Sequence, residues 1–152
     1  VAQNLGAGKY ERVKKGAFIG TGISIIAVGF LSVILFTASG LIGPWFIDKK
    51  DAVELIPLVV RYMRMMAPFY FFYAVAEALS GACCGLGETL SPMITTLVSI
   101  CLLRVCGIWF VLPAFETMEC IIWIYIASWI AAGVAFFFLF LQRSRKKLQV
   151  VS

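Results

Sequence analysis

Two lone charges set in apolar surroundings carry the most chemical potential in this sequence. Glu77 is the only charged residue between Met65 and Gly87, and Arg104 is the only one between Pro92 and Leu112. A carboxylate in a low-dielectric cavity can exchange a proton or hold a cation; beside an arginine it stays ionised and becomes half of a structural lock. Both roles are open to Glu77. Tyr73 and Tyr70 precede it by four and seven residues, which places all three on one helix face. Such a stripe suits an organic cation, through the carboxylate charge and the faces of the rings, and it equally suits tyrosines packed within a bundle. Tyr70, Tyr73, Glu77 and Arg104 are therefore the candidate cation and substrate-binding residues.

Other chemistries fail on the residue types. The sequence has no histidine, which removes His-based triads and His-Glu-x-x-His metal sites. Leu5-Gly6-Ala7-Gly8-Lys9 has a phosphate-loop look, but that loop needs glycine at position 3 and Ser or Thr after the lysine, where this chain has Gln3 and Tyr10. Cys83, Cys84, Cys101, Cys106 and Cys120 form no Cys-x-x-Cys pattern and lie in or beside apolar stretches, as small packing residues do. Glu116 and Glu119 suit an exposed loop better than an acid–base pair. The expectation is a protein that is not an enzyme, with no catalytic residues, no metal site and no organic cofactor.

The elements that position the two charges follow from composition. The 152 residues are 62% hydrophobic and 14% charged, against about 45–50% and about 25% in soluble domains. That excludes both an ordinary soluble domain and a disordered chain. The net charge of +5 is concentrated at Lys9 to Lys15 and Arg143 to Lys147, each abutting a long apolar run. Such flanks mark membrane sidedness rather than nucleic-acid binding.

Charges and turn residues divide the chain into an all-α polytopic membrane bundle of four transmembrane helices, at 16–47, 52–87, 91–113 and 119–142. Residues 1–15 form the end of a preceding helix and a loop, and 143–152 a basic tail. Within this plan Asp51 and Glu54 make a capping box, Pro68 kinks the second helix, and Ser91 caps the third with Pro92 in its first position. Eight Lys and Arg residues flank the two ends, so both ends are expected on the cytoplasmic face of a multi-pass plasma-membrane protein.

The short connection between the second and third helices predicts antiparallel neighbours. Glu77 lies about 16 Å and Arg104 about 20 Å from it, at about 1.5 Å per residue. A direct or water-mediated Glu77–Arg104 interaction inside the bundle is therefore expected. Gly16 with Gly20, Gly81 with Gly85, and Ala127, Ala131 and Ala135 repeat at four-residue spacing, which predicts close helix packing in lipid.

Two stretches add a family resemblance. Residues Val1-Ala2-Gln3-Asn4-Leu5-Gly6-Ala7-Gly8-Lys9-Tyr10-Glu11-Arg12 resemble the signature ending the second helix of each half of multidrug and toxic compound extrusion (MATE) transporters. Leu79-Ser80-Gly81-Ala82-Cys83-Cys84-Gly85-Leu86-Gly87-Glu88-Thr89-Leu90-Ser91-Pro92 is similar to that family's second motif. It departs at Cys84, where arginine is usual, and at Glu88, where aspartate is common.

The resemblance implies helices nine to twelve of a twelve-helix exporter, with eight preceding helices of the same protein as partners. It further implies efflux of organic cations or metabolites in exchange for Na⁺ or H⁺ by alternating access. An acidic position on the tenth helix of one branch falls near Tyr73 rather than Glu77, so Glu77 rests on its own setting. Two alternatives remain: a lipid-linked oligosaccharide flippase of the same superfamily, and a non-transporting four-helix scaffold.

Overall fold

A computed structural model describes residues 1–47, 52–115 and 117–150. Among the described residues every regular element is helical, and four helical stretches are long and apolar enough to cross a membrane: Tyr10–Trp45, Ala52–Gly85, Leu90–Phe115 and Met118–Lys146. In a medium without water, backbone donors and acceptors must pair within the segment, which an α-helix achieves without help from a neighbour.

A short helix, α1 (Ala2–Gly6), precedes the first span. Gly8, at φ 69°, takes the left-handed turn between them, a conformation that costs glycine little. The first span is α2 (Tyr10–Ile42) with a 3₁₀ turn at Gly43–Phe46. No proline interrupts α2, and several of its hydroxyls bond to the preceding turn: Thr21 donates to the Ala17 carbonyl at 2.9 Å and Thr37 to that of Val33 at 2.8 Å. Its 33 residues reach roughly 50 Å, so it overhangs a core about 30 Å thick and carries the basic residues near Tyr10 beyond it. The polar turn and the cap expected at Asp51 lie outside the described residues.

The second span comprises α3 (Ala52–Met66), a 3₁₀ turn at Ala67–Phe69, and α4 (Tyr70–Gly85). The 3₁₀ turn sits at Pro68, whose ring and missing N–H disfavour a continuous α-helix there. After α4, Gly87 (φ 79°) reverses the chain while the Glu88 and Gly87 amides bond to the Cys83 and Cys84 carbonyls.

The third span begins at Leu90 rather than behind a Ser91 cap: α5 (Leu90–Thr96) has Thr89 at its N-cap and no side-chain cap bond. Ser91 is withdrawn from capping because its hydroxyl is committed to Glu88 and Arg143. A π-helical stretch, Leu97–Leu102, then leads into α6 (Leu103–Phe110) and a short α7 (Leu112–Phe115). The fourth span, α8 (Met118–Val150), runs as one helix through the residues expected to form a separate tail. No glycine or proline follows Gly133 before its end, so nothing in the sequence breaks it.

The fourth span is the centre of the packing. In its most apolar window 44% of residues are buried, against 6% in each of the other three spans. It packs on α4 along a stripe of Ser128, Ala132, Phe136 and Phe140, all buried. Ala132, Phe136 and Phe140 join Val13 and Ala17 of α2 and Ala76, Leu79, Ala82 and Cys83 of α4 in one cluster. The expected Ala127, Ala131, Ala135 stripe is one residue round the helix from this seam, and Ala127 is exposed. The closest approaches of the fourth span to its neighbours occur at other glycines. A Cβ on Gly133 would lie 3.3 Å from the Phe72 carbonyl oxygen, and one on Gly107 2.7 Å from Ile124 Cγ2.

Gly16, Gly20, Gly81 and Gly85 do not clamp two helices together. They line a cleft of about 340 Å³ between the first and second spans, and a Cβ added at Gly20 or Gly81 would meet nothing within 4 Å. Four-residue spacing of small residues permits close approach, but bulky neighbours elsewhere decide where the helices touch.

Ion pairs tie both ends. Arg61 pairs with Glu119 where the second and fourth spans begin. At the opposite end Arg143 Nη2 donates to Ser91 Oγ at 2.7 Å and Arg143 Nη1 lies 3.6 Å from Glu88 Oε2. That end also holds the chain start, since Val1 lies against Gly85. Replacing Arg143 with alanine is expected to lower stability by about 1 kcal/mol or less, because the pair is partly solvated and screened. Thermal unfolding in detergent at low and high salt measures it, and the difference from the parent protein should shrink as salt rises.

Candidate functional site

The second and third spans do not lie side by side along their lengths. They meet mainly near their connection, and each packs on the fourth span. In that arrangement Glu77 and Arg104 form no direct ion pair: among the described residues the ion pairs are Arg61–Glu119 and Arg143–Glu88. Glu77 does not face the interior of the helix packing either; it is exposed on α4. The physical reason is the central position of α8, which takes the inner faces of both neighbours and leaves their charges to find other partners.

Arg104 finds its partners on α8. Its Nε donates to Ser128 Oγ at 3.0 Å, Ser128 in turn donates to the Tyr125 carbonyl at 2.7 Å, and the guanidinium lies 4.0 Å from the centroid of the Tyr125 ring. The pattern is an aromatic residue, two intervening residues and a serine on one helix, with an arginine laid across both from the next. It occurs a second time. Arg64 donates from Nε to Ser39 Oγ at 3.0 Å, Ser39 donates to the Phe36 carbonyl at 3.2 Å, and Arg64 stands 5.9 Å over the Phe36 ring. In each case the ring offers its negative face to the cation, and the serine satisfies the inner edge of the guanidinium.

Tyr73 lies between the two charges: it precedes Glu77 by one helical turn on α4 and packs toward Trp129, the residue after the Ser128 that holds Arg104. Tyr73 is 38% exposed, so the three groups form a polar strip at the edge of the packing rather than a sealed lock. Tyr70 behaves differently. It is half-buried with its ring centroid 5.1 Å from that of Trp129, in the cluster around Ile122, Ile126 and Trp129. Trp129 also lies 6.0 Å from Tyr73 by ring centroids. Tyr70 thus supports Trp129, and Trp129 backs Tyr73.

Three residues on the fourth span, Tyr125, Ser128 and Trp129, complete the site and do not stand out in the sequence. One signal was present: Ser128 is the only serine or threonine between Cys120 and Gln142. A hydroxyl there is easily satisfied by its own helix, so its type alone does not point to an arginine partner.

The cysteines divide by position. Cys83 is buried in the main cluster as a small apolar residue, while Cys84, Cys101 and Cys106 are exposed on the apolar outside.

The sequence model of one family, MatE, matches residues 1–110. The chain belongs to the MatE family. It is accordingly a membrane transporter of the MATE superfamily, a family of transporters rather than of enzymes. Neither a curated protein nor a solved structure matched the chain. The MatE match includes Tyr70, Tyr73, Glu77 and Arg104. Tyr125, Ser128 and Trp129, which hold or back these residues, lie after the matched range.

Proposed function

We propose that this MatE chain works as part of an alternating-access antiporter that expels organic cations or cationic metabolites in exchange for Na⁺ or H⁺. Glu77 and Tyr73 bind the cation, Tyr70 acts through Trp129, and Arg104 completes the strip. No organic cofactor takes part. The observation that carries this reading is the outward presentation of Glu77 from within a membrane-spanning stretch, eight residues before its end at Gly85. A carboxylate at that depth is costly against lipid and is accommodated by a water-filled cavity or by other helices. Substrate sites of secondary transporters lie near the midplane where two repeats meet. The exposed face of α4 supplies one wall of such a site, and further helices of the same transporter supply the other.

The basic residues around Lys9 to Lys15 and Arg143 to Lys146 support a cytoplasmic position, at the plasma membrane, for this end of the bundle. The test is Glu77→Gln in the full-length transporter, with efflux of ethidium, a fluorescent organic cation, measured against pH and Na⁺ gradients. Coupled efflux is expected to fall on the order of tenfold or more, since the only carboxylate of the strip is neutralised. Unchanged coupling removes Glu77 from the mechanism.

A further inference from the structure

Arg104 is held with unusual economy. Ser128 takes the inner edge of its guanidinium through Nε, and the Tyr125 ring covers one face. Among the described residues its two terminal amines make no hydrogen bond and no ion pair. The side chain is half-buried, and Glu77, the one acid between Met65 and Gly85 in the neighbouring span, is not its ion-pair partner. It sits fourteen residues from the start of α5, hence roughly 20 Å into a core about 30 Å thick.

A charge at that depth is accommodated by an opposite charge or by a water-filled cavity. Arg64, built into the same kind of clamp, has an easier setting. It is exposed and lies one helical turn from Arg61, at the end of the bundle where Glu119 also sits, so water and headgroups neutralise it. The clamp itself is therefore structural, and the depth of Arg104 is what sets it apart.

We infer that the outer edge of Arg104 receives a carboxylate of the transported molecule, so that the substrate is an organic cation carrying an acid group as well. This rests on the reading of Glu77 and Tyr73 as the cation end. A planar guanidinium with both terminal amines free matches a carboxylate through two parallel hydrogen bonds, a match that ammonium or ring contacts cannot supply. The serine and the ring fix the plane of the fork beforehand, so little rotamer freedom is lost when the acid docks. Tyr73, one turn before Glu77 and packed toward Trp129 beside the Ser128 that holds Arg104, sets the two ends of the site within one small molecule of each other. The π-helical stretch Leu97–Leu102, which ends two residues before Arg104, adds a residue to that turn. The extra residue rotates α6 by about 100° relative to an uninterrupted α-helix, which helps aim Arg104 at α8.

The experiment uses the full-length transporter in nanodiscs and two probes: 4-(aminomethyl)benzoate, with an amine and a carboxylate, and its methyl ester, with the amine alone. The parent protein is expected to bind the acid about tenfold more tightly than the ester, as two charge-assisted bonds warrant. Arg104→Gln should abolish that preference by weakening the acid alone. Arg104→Lys, which keeps the charge but not the planar fork, should retain only part of it and serves if the glutamine variant fails to fold. Equal affinity of the parent for both probes overturns the inference, as does an equal loss of both probes, or of neither, in the Arg104 variants. Glu77→Gln reads the cation end separately: it should weaken both probes, and an ester insensitive to it overturns the Glu77 assignment while leaving the acid-to-ester comparison at Arg104 intact.

Discussion

Replacing Phe136 with alanine is expected to destabilise the protein by about 3 kcal/mol, the largest stability effect of any single truncation proposed for this fold. Phe136 is 1% exposed and sits where α8 meets Leu79, Ala82 and Cys83 of α4 and Ala17 of α2. In water part of that cost would come from hydrophobic transfer. In a bilayer the separated helices are already in an apolar medium, so the loss is of packing contacts, and it falls at the low end of the range for buried phenylalanines. Phe140, equally buried, carries an edge contact with Phe18 at 5.8 Å between centroids, so the cavity at Phe136 opens between three helices that cannot all close on it. Unfolding by a denaturing detergent titrated into a mild one measures the difference. Phe136→Leu, which refills most of the volume, should recover more than half of the loss.

The second large effect concerns Gly107. A Cβ at this position would stand 2.7 Å from Ile124 Cγ2 and 3.1 Å from its Cγ1, and Ile124 is buried. Gly107→Leu therefore forces the third span away from the fourth. The expected cost is about 2 kcal/mol, as in other overpacked contacts. The consequence for function is larger than the stability change. Arg104 lies one helical turn before Gly107 and depends on a 3.0 Å bond to Ser128, one turn after Ile124. A displacement of about 1 Å across this seam breaks that bond, and misplacements of that size cost on the order of a hundredfold in activity elsewhere. Efflux by Gly107→Leu should therefore fall far more than its folded fraction does. Gly107→Ala with Ile124→Ala, which removes the Cγ1, Cγ2 and Cδ1 atoms that the new Cβ would meet, should restore most of it. Equal losses of efflux and of folded protein would show that the seam has no special role.

The four spans were legible in the sequence because bilayer thickness and the cost of burying charge act on local composition alone. A run such as 120–142 has few ways to be anything but a membrane helix. The interruption at Pro68 was legible for a similar reason, since a missing N–H acts on its own turn. The helical bounds shifted where local signals competed with distant ones. Ser91 has the chemistry of an N-cap, but Arg143, fifty-two residues away, claims its hydroxyl. The tail beyond Gln142 was expected as a separate segment, yet the same arginine helps anchor it as a continuation of α8.

The chain's own composition thus determined that this is an all-helical membrane protein, and its two motifs pointed to the family that the match over residues 1–110 establishes. It also singled out Glu77 and Arg104, because a charge in an apolar run stands out without any knowledge of neighbours. Which groups those charges meet was decided only by the tertiary structure. Sequence adjacency of the second and third spans suggested that they pair. Placing α8 between them turned Arg104 onto Tyr125 and Ser128, and it left Glu77 on an outer face one turn from Tyr73. Helix order along the chain constrains only which helices are joined. Which helix is central depends on side-chain volume and shape summed over the whole seam of Ser128, Ala132, Phe136 and Phe140.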